Sequence, residues 1–86
     1  MSKIEIYTSA TCPYCIKAKK LLTMLKLSYA DYNVDKDFDK MCKDLSEKYG
    51  RQIQTVPQII INGKYLGGYS DLESAYKSGN LDNLLN

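Results

Sequence analysis

The chain reads as an α/β protein, a mixed sheet with helices packed against it. Three observations carry this. Short β-branched runs alternate with helix-length segments whose apolar residues repeat at helical spacing. Asn62-Gly63, set between QIII and KYL, is the strongest two-residue hairpin signal and adds antiparallel strands. Strands joined through a helix must in turn run parallel, so both kinds of pairing occur. The order is β-α-β-α-β-β-α, and residues 1–86 are expected to form one domain.

Lys3 to Tyr7 (KIEIY) alternates apolar and polar residues and predicts the first strand. Pro13 to about Lys26 predicts a helix, because Cys15, Ala18, Leu22 and Leu25 fall on one face with Leu21 beside them. Tyr29 to Val34 predicts a second strand. A helix from about Asp37 to Tyr49 follows, with Phe38, Met41, Cys42, Leu45 and Tyr49 as its buried stripe and Gly50 as its stop. Pro57 interrupts TVPQIII, leaving strands at Gln58–Ile61 and Lys64–Leu66, and Gly67-Gly68 closes the hairpin. Ser70-Asp71-Leu72-Glu73 has the S-x-x-E form of a capping box, predicting a helix to about Ser78 with Gly79 at its end. Leu81, Leu84 and Leu85 predict a short last helical turn over the core.

Composition narrows the function. Hydrophobic residues make up 44% and charged residues 26%, ordinary for a folded domain, and twelve basic residues against ten acidic give a net charge of +2. Lys17, Lys19, Lys20 and Lys26 gather in one predicted helix, as a solvated face or as a docking patch for an acidic partner. No basic stripe with interleaved aromatics suggests nucleic acid. The start MSKIEIYTS has no apolar run of signal-peptide or membrane-span length, so the expected setting is the cytoplasm, away from membranes. Structural disulfides are rare there, and three cysteines form no complete framework.

The stretch TCPYC therefore concentrates the chemistry. With Pro13 at the first helical position, Cys12 becomes the N-cap, its sulfur near the free N–H groups of Tyr14 and Cys15. Those donors and the positive helix end favour a thiolate over a thiol. Cys15, on the apolar stripe, is expected to be buried and less acidic. The pair is thus unequal, an exposed attacking Cys12 and a shielded Cys15, which is what disulfide exchange requires. Two alternatives stand beside this reading. Zinc would need Cys42 and a fourth ligand in a chain without histidine. Two inert thiols would leave an N-cap cysteine without a packing role.

With these residues in view, IEIYTSATCPYC followed by TVPQIIINGKYLGGYSDL resembles the glutaredoxins, and CPYC is similar to their dithiol class. The likeness runs from about Ile4 to Leu85. It implies a thioredoxin-like fold, a four-stranded sheet of order 2-1-3-4 between helices, with a cis Val56-Pro57 bond facing the cysteines. It implies a glutathione-dependent thiol–disulfide oxidoreductase in which Cys12 is the nucleophile and Cys15 resolves the mixed disulfide. Glutathione would be co-substrate, with no bound cofactor or metal. The partners implied are disulfide-containing or glutathionylated proteins met by a monomer. The glutathione site would comprise Tyr14, Gln54, Thr55, Val56, Pro57, Gly68, Ser70 and Asp71. Val56 would pair with the cysteinyl part, the Ser70 and Asp71 amides with the γ-glutamyl carboxylate, and the Asp71 carboxylate with the ammonium.

Three departures stand out. Many relatives carry lysine two or three residues before the first cysteine, where this chain has Ser9, Ala10 and Thr11. The GRQIQ stretch before TVP is longer than in short bacterial relatives, so Arg51 or Gln54 would supply the glycyl-carboxylate contact. Tyr69 stands where some relatives have another cysteine. Rival readings are a thioredoxin-like protein reduced by a flavoprotein reductase, an iron–sulfur carrier holding its cluster through Cys12 and glutathione, and a redox-controlled binding module.

Overall fold

The computed structural model describes residues 3–85; residues 1, 2 and 86 of the expected domain lie outside the described part. Eight elements follow in order: β1 (Ile4–Thr8), α1 (Pro13–Met24), β2 (Ala30–Asn33), α2 (Phe38–Tyr49), β3 (Gln58–Ile61), β4 (Lys64–Gly67), α3 (Tyr69–Ser78) and α4 (Asn80–Leu85). The sheet order is β2-β1-β3-β4, with β1 parallel to β2 and antiparallel to β3, and β4 antiparallel to β3. This is the predicted thioredoxin-like 2-1-3-4 sheet. Among the described residues no helix is long and apolar enough to cross a membrane.

Alternation along the strands sorts side chains onto two faces. Ile4, Ile6, Ile59 and Ile61 join Ala18 and Leu22 of α1, Leu72 and Ala75 of α3 and Leu81 of α4 on one face. Ile60 joins Val34, Met41 and Leu45 of the α2 side and Ile53 on the other. Strand β3 (QIII) is buried along its whole length because both its faces are covered. Ile6, Leu22, Ile59 and Leu72 have no exposed surface, and burial of each stabilises the fold by roughly 1.5–3 kcal/mol.

Two turns fix the site's frame. Asn62 and Gly63 both have positive φ, 52° and 80°, as a type I′ hairpin requires. The Asn62 side chain also accepts from Lys3 N–H at 2.7 Å and donates to the Leu84 carbonyl at 3.1 Å, tying the hairpin to β1 and α4. Helix α1 stops at Met24, earlier than the predicted Lys26. Lys26 takes the left-handed conformation at φ 60°, its N–H bonding to Thr23 O and that of Leu27 to Leu22 O. This is a Schellman closure with lysine where glycine is usual. It turns Leu25 and Leu27 onto the core.

Candidate active site

Strand β1 delivers the chain to the site at its carboxyl end. Thr8, the last strand residue, is buried and donates its hydroxyl to Asp31 on β2. The next two residues are held from just beyond the end of β2. The Asp35 carboxylate accepts from the Ser9 hydroxyl, from Ala10 N–H at 3.1 Å and from the Asn33 amide at 3.2 Å. These donors, Ser9 first, hold the Asp35 carboxyl below its ordinary range. Ser9 Oγ in turn lies 3.4 Å from Thr11 N, and Cys12 N–H donates to the Ser9 carbonyl at 3.4 Å. Ser9 is thus a carboxylate-anchored serine two residues from the loop's end at Thr11.

Cys12 is the N-cap of α1, extended at φ −99° and ψ 110°, with Pro13 opening the helix. Its sulfur accepts the Cys15 N–H at 3.1 Å and lies 3.5 Å from the Val56 carbonyl oxygen. That contact corrects one expectation: Cys12 is half-buried, not exposed, because the Val56 backbone covers one side of it. Cys15 has no exposed surface. Burial first, and then its hydrogen bond with Cys12, push the Cys15 thiol up from 9.0 to about 12. The two cysteines therefore differ in burial, Cys12 half-buried and Cys15 fully buried. Both cysteines are free thiols here. Cys42, expected to be fully in the core, is half-buried at the margin of the α2 cluster.

A second segment faces the sulfur. The Val56-Pro57 bond is cis, as the resemblance implied. Behind it lies Gln58, one of two buried polar residues among those described. Its amide donates to Thr55 O at 2.8 Å and Thr55 Oγ1 at 3.2 Å, while its carbonyl accepts from Tyr65 OH at 2.7 Å. Gln58 thereby clamps the Thr55-Val56-Pro57 loop to the sheet. The sequence held a signal for it, a glutamine opening an all-apolar strand, where an unpaired amide would be costly.

The third segment is the start of α3. The predicted capping box at Ser70 and Glu73 is not formed. Gly68 is the N-cap, and the Asp71 carboxylate accepts the Gly68 N–H at 3.0 Å. Gly67, at φ 130°, turns the chain into the helix two residues earlier than predicted, and a Cβ there would run into the Asp71 carboxylate. Glu73 instead accepts from Tyr69 OH at 2.9 Å and lies 3.6 Å from Lys77.

Between these segments runs a groove of about 390 Å³ lined by Tyr14, Thr55, Val56, Pro57, Gly68, Tyr69 and Ser70. Six of the residues predicted for the glutathione site are thus brought together. The seventh, Tyr69, was not among them; its ring lies 6.1 Å from that of Tyr14. Asp71 sits behind the lining as the cap of α3. Gln54 and Arg51 are outside it, and the Arg51 guanidinium lies 5.5 Å over the Tyr65 ring. Beside the groove lies the Cys12 sulfur, 3.5 Å from the Val56 carbonyl oxygen, and its other wall is the start of α3. Such a combination can hold an extended peptide with a terminal carboxylate while its sulfur meets Cys12.

Comparison with known proteins agrees with this geometry. The family model described as glutaredoxin matches residues 4–66. Glutaredoxin 3 of Escherichia coli (strain K12) is 40% identical over 85 residues, covering 99% of both chains. Glutaredoxin 1 of Rickettsia prowazekii is 43% identical over 82 residues, 95% of this chain and 85% of that one. Among solved structures, the dithiolic glutaredoxin 2-C-Grx1 of Trypanosoma brucei brucei superposes with a TM-score of 0.84 at 38% identity, covering 99% and 88% of the two chains. A buckwheat glutaredoxin–glutathione complex superposes with a TM-score of 0.85 at 27% identity, covering 98% and 76%.

Proposed function

The chain belongs to the glutaredoxin family, and from that premise we propose how its residues divide the work. It is a glutathione-dependent thiol–disulfide oxidoreductase. The proposed nucleophile is Cys12, and the observation that carries this is its sulfur at the start of α1, accepting the Cys15 N–H at 3.1 Å beside the groove. As thiolate it attacks one sulfur of a protein disulfide. A Cys12–substrate disulfide forms and the other substrate sulfur leaves as thiolate. Cys15 then gives up its proton and attacks Cys12 Sγ, releasing the second substrate thiol and leaving Cys12–Cys15 oxidised. One glutathione opens that disulfide to a Cys12–glutathione bond. A second attacks the glutathione sulfur, restoring the Cys12 thiolate; the two glutathiones have supplied two electrons and leave as glutathione disulfide. On a glutathionylated protein, Cys12 takes the glutathionyl group directly and Cys15 is not needed.

The groove supports a glutathione pose in which Val56 pairs with the cysteinyl unit. The Ser70 and Asp71 N–H groups, in the first turn of α3, would receive the γ-glutamyl carboxylate. The Asp71 oxygen not engaged by Gly68 would face the ammonium. Tyr14 and Tyr69 would wall the ligand, Thr55, Pro57 and Gly68 would shape its floor, and Gln54 or Arg51 would reach the glycyl end. The protein is proposed to act as a single-domain monomer in the cytoplasm on disulfide-containing or glutathionylated proteins.

The test is glutathione-coupled reduction of a small glutathione mixed disulfide. Cys12→Ser should be inactive while Cys15→Ser retains substantial turnover. A Cys12→Ser protein that still turns over would remove the nucleophile from its assigned place.

A further inference from the structure

Helix α1 carries Lys17, Lys19 and Lys20 and neither Asp nor Glu, in a chain whose whole net charge is only +2. Its solvent side is not simply polar. Ile16 is 47% exposed and Met24 61% exposed. With Lys20, Thr23 and Tyr29 they line an open groove of about 700 Å³ between α1 and the β2 edge. Lys19 is neutralised there by Asp31 at 3.0 Å, the one acidic residue lining it. Lys20 has no ion-pair partner among the described residues. Positions 16, 20, 23 and 24 share one helical stripe. The stripe starts at the reactive end of the helix, where Ile16 N–H bonds to the Cys12 carbonyl at 3.3 Å. Isolated exposed apolar residues carry no message, but two in one groove, beside an unpaired cation and one turn from the nucleophile, make a surface of defined chemistry.

We infer that this α1 groove docks the polypeptide part of protein substrates, choosing segments that carry an acidic residue and an aliphatic one beside the disulfide. The inference rests on the proposed function. Glutathione would occupy the groove on the Tyr69 side of Cys12, leaving the α1 side for the rest of a protein substrate. Lys20 then meets the acidic side chain, and Ile16 and Met24 cover the aliphatic one. Complementary charge of this kind acts mainly on encounter and selection.

The test compares three substrates: a peptide closed by one disulfide with Asp and Leu flanking it, the same peptide with Asn for Asp, and the mixed disulfide of glutathione with 2-mercaptoethanol. The wild type should favour the Asp peptide over the Asn peptide by about two- to fivefold in kcat/KM at low salt, the range of a single exposed ion pair. That preference should fade in about 1 M salt, where the screening length falls to about 3 Å. Lys20→Gln should abolish it, and Ile16→Ser should slow both peptides alike. Both variants should keep wild-type turnover of the small mixed disulfide. Equal turnover of the two peptides by the wild type, a preference surviving in Lys20→Gln, or variants that also lose the small substrate would each overturn the docking role. A wild type inactive on the small mixed disulfide would overturn the proposed function, and this inference with it.

Discussion

Cys15 should be chemically silent until Cys12 is engaged, and alkylation can measure how silent. Burial and the bond to Cys12 move its thiol from 9.0 to about 12. Three units correspond to a roughly thousandfold smaller thiolate fraction at neutral pH, and only the thiolate is nucleophilic. Zero exposure slows reagents further. The experiment labels the reduced protein with iodoacetamide from pH 7 to 11 and reads each cysteine by peptide mass spectrometry. The same chain unfolded in urea serves as reference. In urea the Cys15 rate should rise tenfold per pH unit and level off above about pH 9. In the folded protein it should start at least about a hundredfold lower and continue rising through pH 10 and 11. The shape matters more than the size, because poor access lowers a rate at every pH but does not move the plateau. A folded Cys15 that levels off near pH 9 would refute the raised pKa. The delayed-resolution argument would then lose its basis.

Two other perturbations probe the frame of the site. Asp35 is held below its ordinary carboxyl range chiefly by the Ser9 hydroxyl and then by Ala10 N–H, so its contribution is complete above the unfolded value of 3.8 and fades as pH falls below it. Tm measured from pH 6 to 2 should fall more steeply in wild type than in Asp35→Asn, and parallel curves would show that the loop is not anchored there. Gly67→Ala forces a Cβ into left-handed backbone against the Asp71 carboxylate. It should cost about 1 kcal/mol or more, or roughly 4–8 °C in Tm, and raise KM for glutathione; an unchanged Tm would mean α3 can start elsewhere.

The sheet and its order were legible because strand and helix periods differ and Asn62-Gly63 leaves one sharp reading. The cysteine pair was legible for a local reason too, since proline at the first helical position makes its predecessor the cap. What escaped depended on contacts distant in sequence or on competition between local signals. Ser9 reads only as the lack of a lysine, because Asp35, which accepts its hydroxyl, is distant in sequence. The S-x-x-E signal at Ser70 was genuine, but Gly68 and Asp71 stand at the same spacing two residues earlier. The left-handed turn at Gly67 decides between them, sending the Asp71 carboxylate back to cap Gly68. Tyr69 was weighed only as the absence of a cysteine, although position one of α3 puts its ring into the groove.

With Ser9 and no basic residue in the loop before Cys12, a different part of the molecule meets the sulfur. A lysine near the sulfur would act on the thiolate by charge. Here no cation is supplied from that loop, and the donor that meets the sulfur belongs to the helix start, the Cys15 N–H at 3.1 Å. The Ser9 hydroxyl and the Ala10 N–H are committed to Asp35 instead, so the loop's contribution is position: it fixes where β1 releases the chain and hence where α1 begins. Such a site depends on the geometry of the first helical turn more than on a neighbouring cation.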